Sequence, residues 1–438
     1  MPTTDDMRNV LDIQDQHIWF DDGCVEYREW NGQTCKWIHA KLTYRPQACA
    51  QCGAVNHDYS IYKNGTQSSR ITMPMTGIYP TYLLLKKQRF KCTECGETFV
   101  AQTSLVKENC FISNTIRAGI VIASSKAQSV KDISNHHNVS EATTQRLITE
   151  EAKQYHPYYH WLPKNLSFDE FSYRKSHMAF EYINAGTGQF LDILPSRKTR
   201  DIKAHFLGRY SLKSRKKVET ITVDMNAGYI GLIPAIFPQA KIIIDRFHLI
   251  QLLNRSMNKT RIQVMNQFNT SKGEDKKKYR RLKRYWQLFL KKEMTLSYTE
   301  YHSFPMFGLR LEPAILTEML DYTPLLGSTY RLYQDLMHAL RQNDIDQFQG
   351  ILAQNEENIS ETMKTSLKTL RKHLPYIQNT LASPYSNGRL EGINNKIKVL
   401  KRVAYGYRNF FNYKSRILLH FNIDSYKIPK HKNISEVA

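Results

Sequence analysis

Three acidic residues stand where they could do chemistry together. Asp169 ends the run Leu166-Ser167-Phe168-Asp169, and Asp224 ends Ile221-Thr222-Val223-Asp224. Both runs are apolar or β-branched, so each aspartate is expected at the end of a strand. Glu391 lies in Ser386-Asn387-Gly388-Arg389-Leu390-Glu391-Gly392-Ile393-Asn394-Asn395-Lys396, which reads as the start of an amphipathic helix. On that helix Glu391, Asn395, Lys398 and Arg402 share one face, and Leu390, Ile393, Ile397, Leu400 and Ala404 share the opposite one. One side packs; the other presents a carboxylate flanked by groups that suit phosphate. Carboxylate oxygens are hard ligands for Mg2+ (or Mn2+). Three of them, meeting in one cluster, can hold two divalent ions, the arrangement that serves in-line displacement at a phosphodiester.

Other acidic positions are weaker. Glu170 adjoins Asp169 and so points to the opposite face of a continuing strand. Asp192 ends a strand without a supporting pattern around it. Asp245 and His248 form Asp-x-x-His, which reads either as a metal site or as a hydrogen-bonded pair bracing the chain that follows.

Four of the seven cysteines form two C-x-x-C pairs, Cys49 with Cys52 and Cys92 with Cys95. Each pair lets two thiolates reach one ion from a tight turn, and Gly53 and Gly96 follow where such a turn needs positive φ. With strand-like segments between them, the pairs read as a zinc ribbon holding one Zn2+, provided a hairpin brings the distant pairs together. The alternative is two chance pairs of reduced thiols. Cys24, Cys35 and Cys110 read as small hydrophobes. An odd cysteine count with paired spacing suits metal binding in a reducing cytoplasm, not a disulfide framework.

The elements that must position these residues come next. Within 438 residues, 41% hydrophobic and 23% charged, there is room for two or three ordinary globular domains. Sixty-two Lys and Arg against 40 Asp and Glu leave net charge +22, which suits a polyanionic partner such as double-stranded DNA. The opening Met1-Pro2-Thr3-Thr4-Asp5-Asp6 is unlike a signal peptide, and apolar runs such as Tyr82-Leu83-Leu84-Leu85 are too short to span a bilayer, so no membrane partner is expected.

Residues 1–48 alternate around the turn signals Asp21-Asp22-Gly23 and Asn31-Gly32 and read as an N-terminal β segment, followed by the zinc ribbon over 49–110. Residues 111–160 read as a helix-turn-helix: a short helix after Ser129, a turn at His137-Asn138 with both histidines solvated, and a second helix capped by Ser140. Val130, Ile133, Val139 and Leu147 would form its core, and Thr143, Thr144, Gln145 and Arg146 would face a major groove. A plain helical hairpin is the other reading. Residues 161–250 show the order βββαβαβ, the pattern of a ribonuclease H-like mixed sheet with helices on both faces. Residues 251–380, with Phe289, Leu290, Leu332, Leu336, Leu340, Leu367 and Leu370 at helical intervals, read as an all-α insertion. Residues 381–438 then complete the core with the Glu391 helix. The fold class is thus multidomain α/β. Inside the insertion, basic residues between Lys276 and Lys292 interleave with aromatics; Lys277, Arg280 and Arg284 would grip any DNA, unless this is simply a solvated helix face.

Taken together, the cysteine pairs, the helix-turn-helix, Asp245-Arg246-Phe247-His248, Glu391 to Lys398, and Lys401-Arg402-Val403-Ala404-Tyr405-Gly406-Tyr407 resemble the bacterial insertion-sequence transposases of the ISL-three family over nearly the whole chain. The resemblance implies a DDE triad, carried onto Asp169, Asp224 and Glu391, in a ribonuclease H-like core split by an all-α insertion. It makes Asp245 and His248 a structural signature of the insertion-bearing groups. The implied activity is cytoplasmic: binding of terminal inverted repeats, two-metal strand cleavage and strand transfer into target DNA, by a homo-oligomer on DNA. Two other readings stay open. One is a non-catalytic DNA-binding regulator descended from a transposase; the other is a metal-dependent nuclease acting on Holliday junctions or RNA·DNA hybrids.

Overall fold

A long hairpin organises the N-terminal region. In the computed structural model, which describes residues 3–225, 227–270, 272–354 and 357–423, six strands form one sheet: β1 (Ile18–Trp19), β2 (Val25–Trp30), β3 (Gln33–Leu42), β4 (Ile61–Thr76), β5 (Tyr79–Cys92) and β6 (Thr98–Val100). β4 and β5 pair antiparallel along their length, from Thr76↔Tyr79 at the turn to Ile61↔Cys92 at the open end. Asn31 and Gly32 join β2 to β3 with both φ positive, as a two-residue hairpin turn requires. β3 pairs parallel with β5, so the expected N-terminal β segment and the cysteine region are one sheet and not two modules. Ile38, Leu42, Ile71, Met73, Leu83, Leu85 and Phe90 form its buried core.

Helices Asn114–Ser124, Val130–His136 and Glu141–Ala152 follow. Ser129 and Ser140 cap the last two, and Asn138 turns between them at φ +52. Ile116, Ile120, Ile133, Leu147 and Ile148 pack together, with Val130 and Val139 at the margin. The expectation of solvated histidines fails for His137. Its ring is half-buried against Gly119, where a Cβ would come within 2.7 Å of Cε1. The C-terminal helix Phe410–Asn422 completes this cluster through Leu419. Arg416, 1% exposed, donates from Nη2 to the carbonyls of Lys126 (2.8 Å) and Gln128 (2.7 Å). Residues 395–423 therefore group with those up to His156, whereas the sequence predicts all of 381–438 in the core; 424–438 lie outside the described residues.

The second unit, Pro157–Asn394, contains a five-stranded sheet of β7 (Asn165–Arg174), β8 (His177–Asn184), β9 (Phe190–Leu194), β10 (Thr220–Val223) and β11 (Lys241–Ile244) in the order β11-β10-β7-β8-β9. β11, β10 and β7 are parallel; β8 and β9 continue antiparallel. On one face Leu166, Phe168, Phe180, Tyr182, Ile221 and Val223 pack with Ile202 and Phe206 of helix Thr199–Arg209 and Ile233 and Ile236 of helix Ala227–Ile236.

From Arg246 the chain is mainly helical. Arg246–Gln267, Glu274–Arg284, Glu312–Leu320, Pro324–Gln342, Ile345–Ala353, Glu361–Lys372 and Leu374–Leu381 enclose a core that includes Leu253, Phe289, Leu332, Leu336, Leu340, Leu367 and Leu370. The insertion is not all-α: His302–Phe304 and Gly308–Arg310 make a small antiparallel hairpin. Helix Leu374–Leu381 returns along the free edge of β11. Thr380 Oγ1 is 2.9 Å from both the N–H and the carbonyl of Ile244, and Asn379 Nδ2 donates to the Ile242 carbonyl at 3.0 Å. This satisfies a strand edge that would otherwise be open. Among the described residues no helix is long and apolar enough to cross a membrane.

Candidate active site and zinc centre

Asp169 and Asp224 come from neighbouring parallel strands; Asp224 follows the end of β10 as expected, but Asp169 is mid-strand, because β7 runs on through Arg174 in its pairing with β8. Thr220, Ile221 and Thr222 stand opposite Asn165, Leu166 and Ser167, so Asp224, one residue beyond β10, emerges beside Asp169 on the sheet face away from Phe168. Asp169 Oδ1 accepts the Glu170 N–H at 2.7 Å, and Oδ2 accepts Asn394 Nδ2 at 2.7 Å. Burial, helped by the charge of Asp224, pushes the Asp169 carboxyl up to about 6. Asp224 Oδ1 lies 2.6 Å from His248 Nε2, and that bond raises the imidazole above its ordinary value.

The helix Gly388–Val403 is fastened to β7 on both sides of Glu391. At its start, Asn387 donates from Nδ2 to the Phe168 carbonyl (3.4 Å) and from its backbone N–H to Asp245 Oδ1 (3.3 Å). Two turns on, Asn394 reaches Asp169. Arg389 Nη1 adds bonds to the carbonyls of Ala185 (3.2 Å) and Gly186. Positions 387, 391 and 394 are i, i+4 and i+7, so Glu391 lies on the stripe that meets the Asp169 strand. Its carboxylate is exposed. The expected apolar face is present: Leu390, Ile393, Ile397 and Leu400 are buried, while Asn395, Lys398 and Arg402 are exposed.

The expected clustering of the three carboxylates rests on the strand register and the helix contacts above. Among the described residues, the four cysteines are the one group of three or more His, Cys, Asp and Glu whose ligating atoms all lie within 4.8 Å of one another.

The expected Asp245–His248 side-chain pair is replaced by another arrangement. His248 engages Asp224, while the carboxylate of Asp245, 7% exposed, accepts the Asn387 N–H, and burial raises its pKa. Glu170 does face the other way, toward Tyr229 (2.7 Å from its hydroxyl) and Arg197 (2.7 Å). Asp192 is buried beside Tyr159, whose hydroxyl donates to it at 3.2 Å. Asn387 and Asn394 were missed by sequence reasoning. Their signal was two asparagines seven apart on the margin of an apolar stripe, where a buried amide needs a specific partner.

At the other centre, Cys49 and Cys95 Sγ lie 3.8 Å apart, and Cys52 and Cys92 Sγ 3.9 Å. The β4–β5 hairpin supplies the approach. Gly53 (φ +75) and Gly96 (φ +73) donate back to the carbonyls of Cys49 and Cys92, both at 3.0 Å, giving two matching knuckles. Backbone N–H groups of Cys52 and Gln51 pull the Cys49 thiol down to about 7, toward the ligand form.

Of the groups expected to touch DNA, Thr144 is misplaced: it is fully buried and cannot face a groove. Thr143 and Gln145 are half-buried, and Arg146 is exposed. On helix Glu274–Arg284, Lys277, Arg280 and Arg284 are exposed, Lys277 beside Glu274 at 2.6 Å. Arg281 instead turns inward to Glu318 (2.9 Å) and the Met306 carbonyl (2.7 Å).

Comparison with known proteins agrees with this architecture. A family model described as transposase, of the DDE type named for ISL3, matches residues 166–417, more than half of the chain. A second, described as the zinc-finger of transposase IS204/IS1001/IS1096/IS1165, matches residues 45–95. The transposase for insertion sequence element IS1001 of Bordetella parapertussis is 25% identical over 399 residues, 88% of this chain and 91% of that protein. A protein named ATP-dependent protease, from Lactococcus lactis subsp. lactis, is 44% identical over 108 residues. That match spans 25% of this chain and 34% of the relative, too little to carry that name across. With a zinc-ribbon site at the N-terminus and a transposase domain spanning its sheet and helical insertion, the chain belongs to the ISL3 family of DDE transposases.

Proposed function

We propose that the chain binds the terminal inverted repeats of an insertion sequence and carries out strand cleavage and strand transfer, with Asp169, Asp224 and Glu391 holding divalent Mg2+ (or Mn2+). The observation that carries this reading is the fastening of the Glu391 helix to the Asp169 strand by Asn387 and Asn394. Two buried amides bonded to the middle of β7 go beyond what a merely packed helix needs. The donor set fits a hard cation. It offers carboxylate oxygens, and the buried amide oxygens of Asn387 and Asn394 have no partner among the described residues. Such ions supply charge stabilisation to the attacking and leaving oxygens of an in-line displacement.

The chain's own residues prepare the site. His248 fixes one oxygen of Asp224, Asn394 fixes one of Asp169, and Asn387 sets the height of the Glu391 helix on the sheet. Lys398 and Arg402, exposed farther along that helix, are assigned to phosphates. No serine or tyrosine nucleophile is required. The strand order supports a ribonuclease H-like core, and the helices Val130–His136 and Glu141–Ala152 support a helix-turn-helix that reads the element's ends. Zn2+ is assigned to the four thiolates, assembly to a homo-oligomer on DNA, and the site of action to the cytoplasm.

The test is a strand-transfer assay with the element's ends, Mg2+ and supercoiled target. Joined products from the native chain, lost in Asp169→Ala, Asp224→Ala and Glu391→Ala, are expected. Joining by Glu391→Ala at the native rate overturns the triad; cleavage without any joining favours a nuclease.

A further inference from the structure

We propose that Tyr405 is a stacking platform for an unpaired base at a DNA end, presented in a cleft opposite the helix Glu141–Ala152. This rests on the DNA-transposase reading above.

The helix Gly388–Val403 ends in a specific way. Tyr405 N–H donates to the Arg402 carbonyl (3.0 Å) and Gly406 N–H to the Lys401 carbonyl (2.9 Å). These are the two bonds of a Schellman ending, in which the left-handed position just past the helix is usually glycine. Here that position is a tyrosine, at φ +53. A side chain is disfavoured there, and packing normally has to compensate. Packing does not: Tyr405 is 97% exposed. The contrast with Tyr407, two residues on, is direct. Tyr407 is half-buried and stacks on Tyr413 with ring centroids 4.4 Å apart. Asn409 then caps the next helix by accepting the N–H groups of Phe411 and Asn412. Both ends of the loop are closed, so it holds Tyr405 out on a fixed support.

Tyr405 stands in the wall of a cleft of about 1000 Å³. Lys131, Glu141 and Gln145 line it on the side of the two short helices, and Tyr405, Arg408 and Asn412 on the other. Lys131 and Arg408 are exposed, while the nearby Asp132 is closed into a capping box with Ser129. The tyrosine ring offers a face to any base, whatever the sequence. An aromatic platform beside cations is the means by which proteins hold unpaired nucleotides. The +22 charge of the chain favours such a partner over an acidic-poor protein surface.

The experiment uses the full chain and two probes: a short blunt duplex, and the same duplex ending in a few unpaired nucleotides that include 2-aminopurine. The native chain is expected to prefer the second by roughly tenfold, with quenching of the 2-aminopurine. Tyr405→Gly is expected to abolish the preference and the quenching while raising the denaturation midpoint, because glycine suits the left-handed position. Tyr405→Trp keeps both binding signals. Tyr405→Gly with preference and quenching intact overturns the proposal and leaves the tyrosine to a protein partner. Equal binding of both probes by the native chain, without quenching, also overturns it. A chain that binds neither duplex refutes the DNA-end binding proposed above, and the Tyr405 proposal with it, a separable result.

Discussion

Asn394 and Asp169 meet at 2.7 Å, the amide donating to Oδ2. Three residues before Asn394, on the same helix, is Glu391. The bond therefore ties the position of one proposed ligand to the orientation of another. A hydrogen bond to a charged group contributes about 1.5–3 kcal/mol, so Asn394→Ala should slow cleavage by roughly ten- to a hundredfold. DNA affinity should hold, because no DNA contact is assigned to that buried amide. An Asn394→Ala protein that cleaves normally would show that the bond is only packing.

Replacing Asp169, Asp224 or Glu391 by alanine should reduce cleavage by roughly a hundredfold or more, since each removes charge from the metal site. Glu170→Gln should cost much less in cleavage, because Glu170 faces Tyr229 and Arg197 on the other side of the sheet. Single-turnover cleavage rates measure both. Equal losses for Glu170 and Glu391 would place the site on the wrong face.

Metal-free protein should respond to pH through Asp169. Its carboxyl is lifted from 3.8 to about 6, chiefly by burial. The folded state thus holds this proton more tightly than the unfolded chain does. The associated stability is complete below about pH 4 and is lost as pH rises toward and through about 6. In EDTA, the native chain should fall in denaturant midpoint over that window relative to Asp169→Asn, which cannot titrate. Parallel midpoints for the two proteins across the window would refute the assignment.

Zinc removal should act on the first unit. Structural zinc sites carry apparent binding free energies of about 10–16 kcal/mol, so Cys92→Ser should unfold the six-stranded sheet around the long hairpin. Metal analysis of protein purified without chelator should find about one zinc per chain. Circular dichroism and hydrogen exchange should show the β7–β11 sheet still protected in the variant.

End recognition should separate by position. Arg146 is exposed, and Arg146→Ala should reduce preference for the element's ends. Thr144→Val should not: Thr144 is fully buried, and its hydroxyl has no partner among the described residues, so the swap should be neutral or slightly stabilising. Lys277→Ala, Arg280→Ala or Arg284→Ala should weaken binding to any duplex, each lowering the salt slope by about 1. Competition binding against scrambled duplex distinguishes the two classes.

Local chemistry was legible in the chain alone. The C-x-x-C pairs with their glycines specified two knuckles, because thiolate spacing and positive φ are local properties. The strands bearing Asp169 and Asp224 and the helix bearing Glu391 followed from hydrophobic period, which reports burial of one face. What one residue meets across the fold was decided by tertiary structure. Asp-x-x-His suggested a local pair, yet Asn387 holds Asp245 and His248 turns to Asp224, because β11 lies beside β10 in the sheet. Thr144 sat at a plausible groove-facing position until the helices at Asn114–Ser124 and Phe410–Asn422 closed around its helix. The asparagines flanking Glu391 gained meaning only when the Phe168–Asp169 strand met their helix across more than two hundred residues of chain. Periodicity records that a side chain is buried; only packing selects its partner.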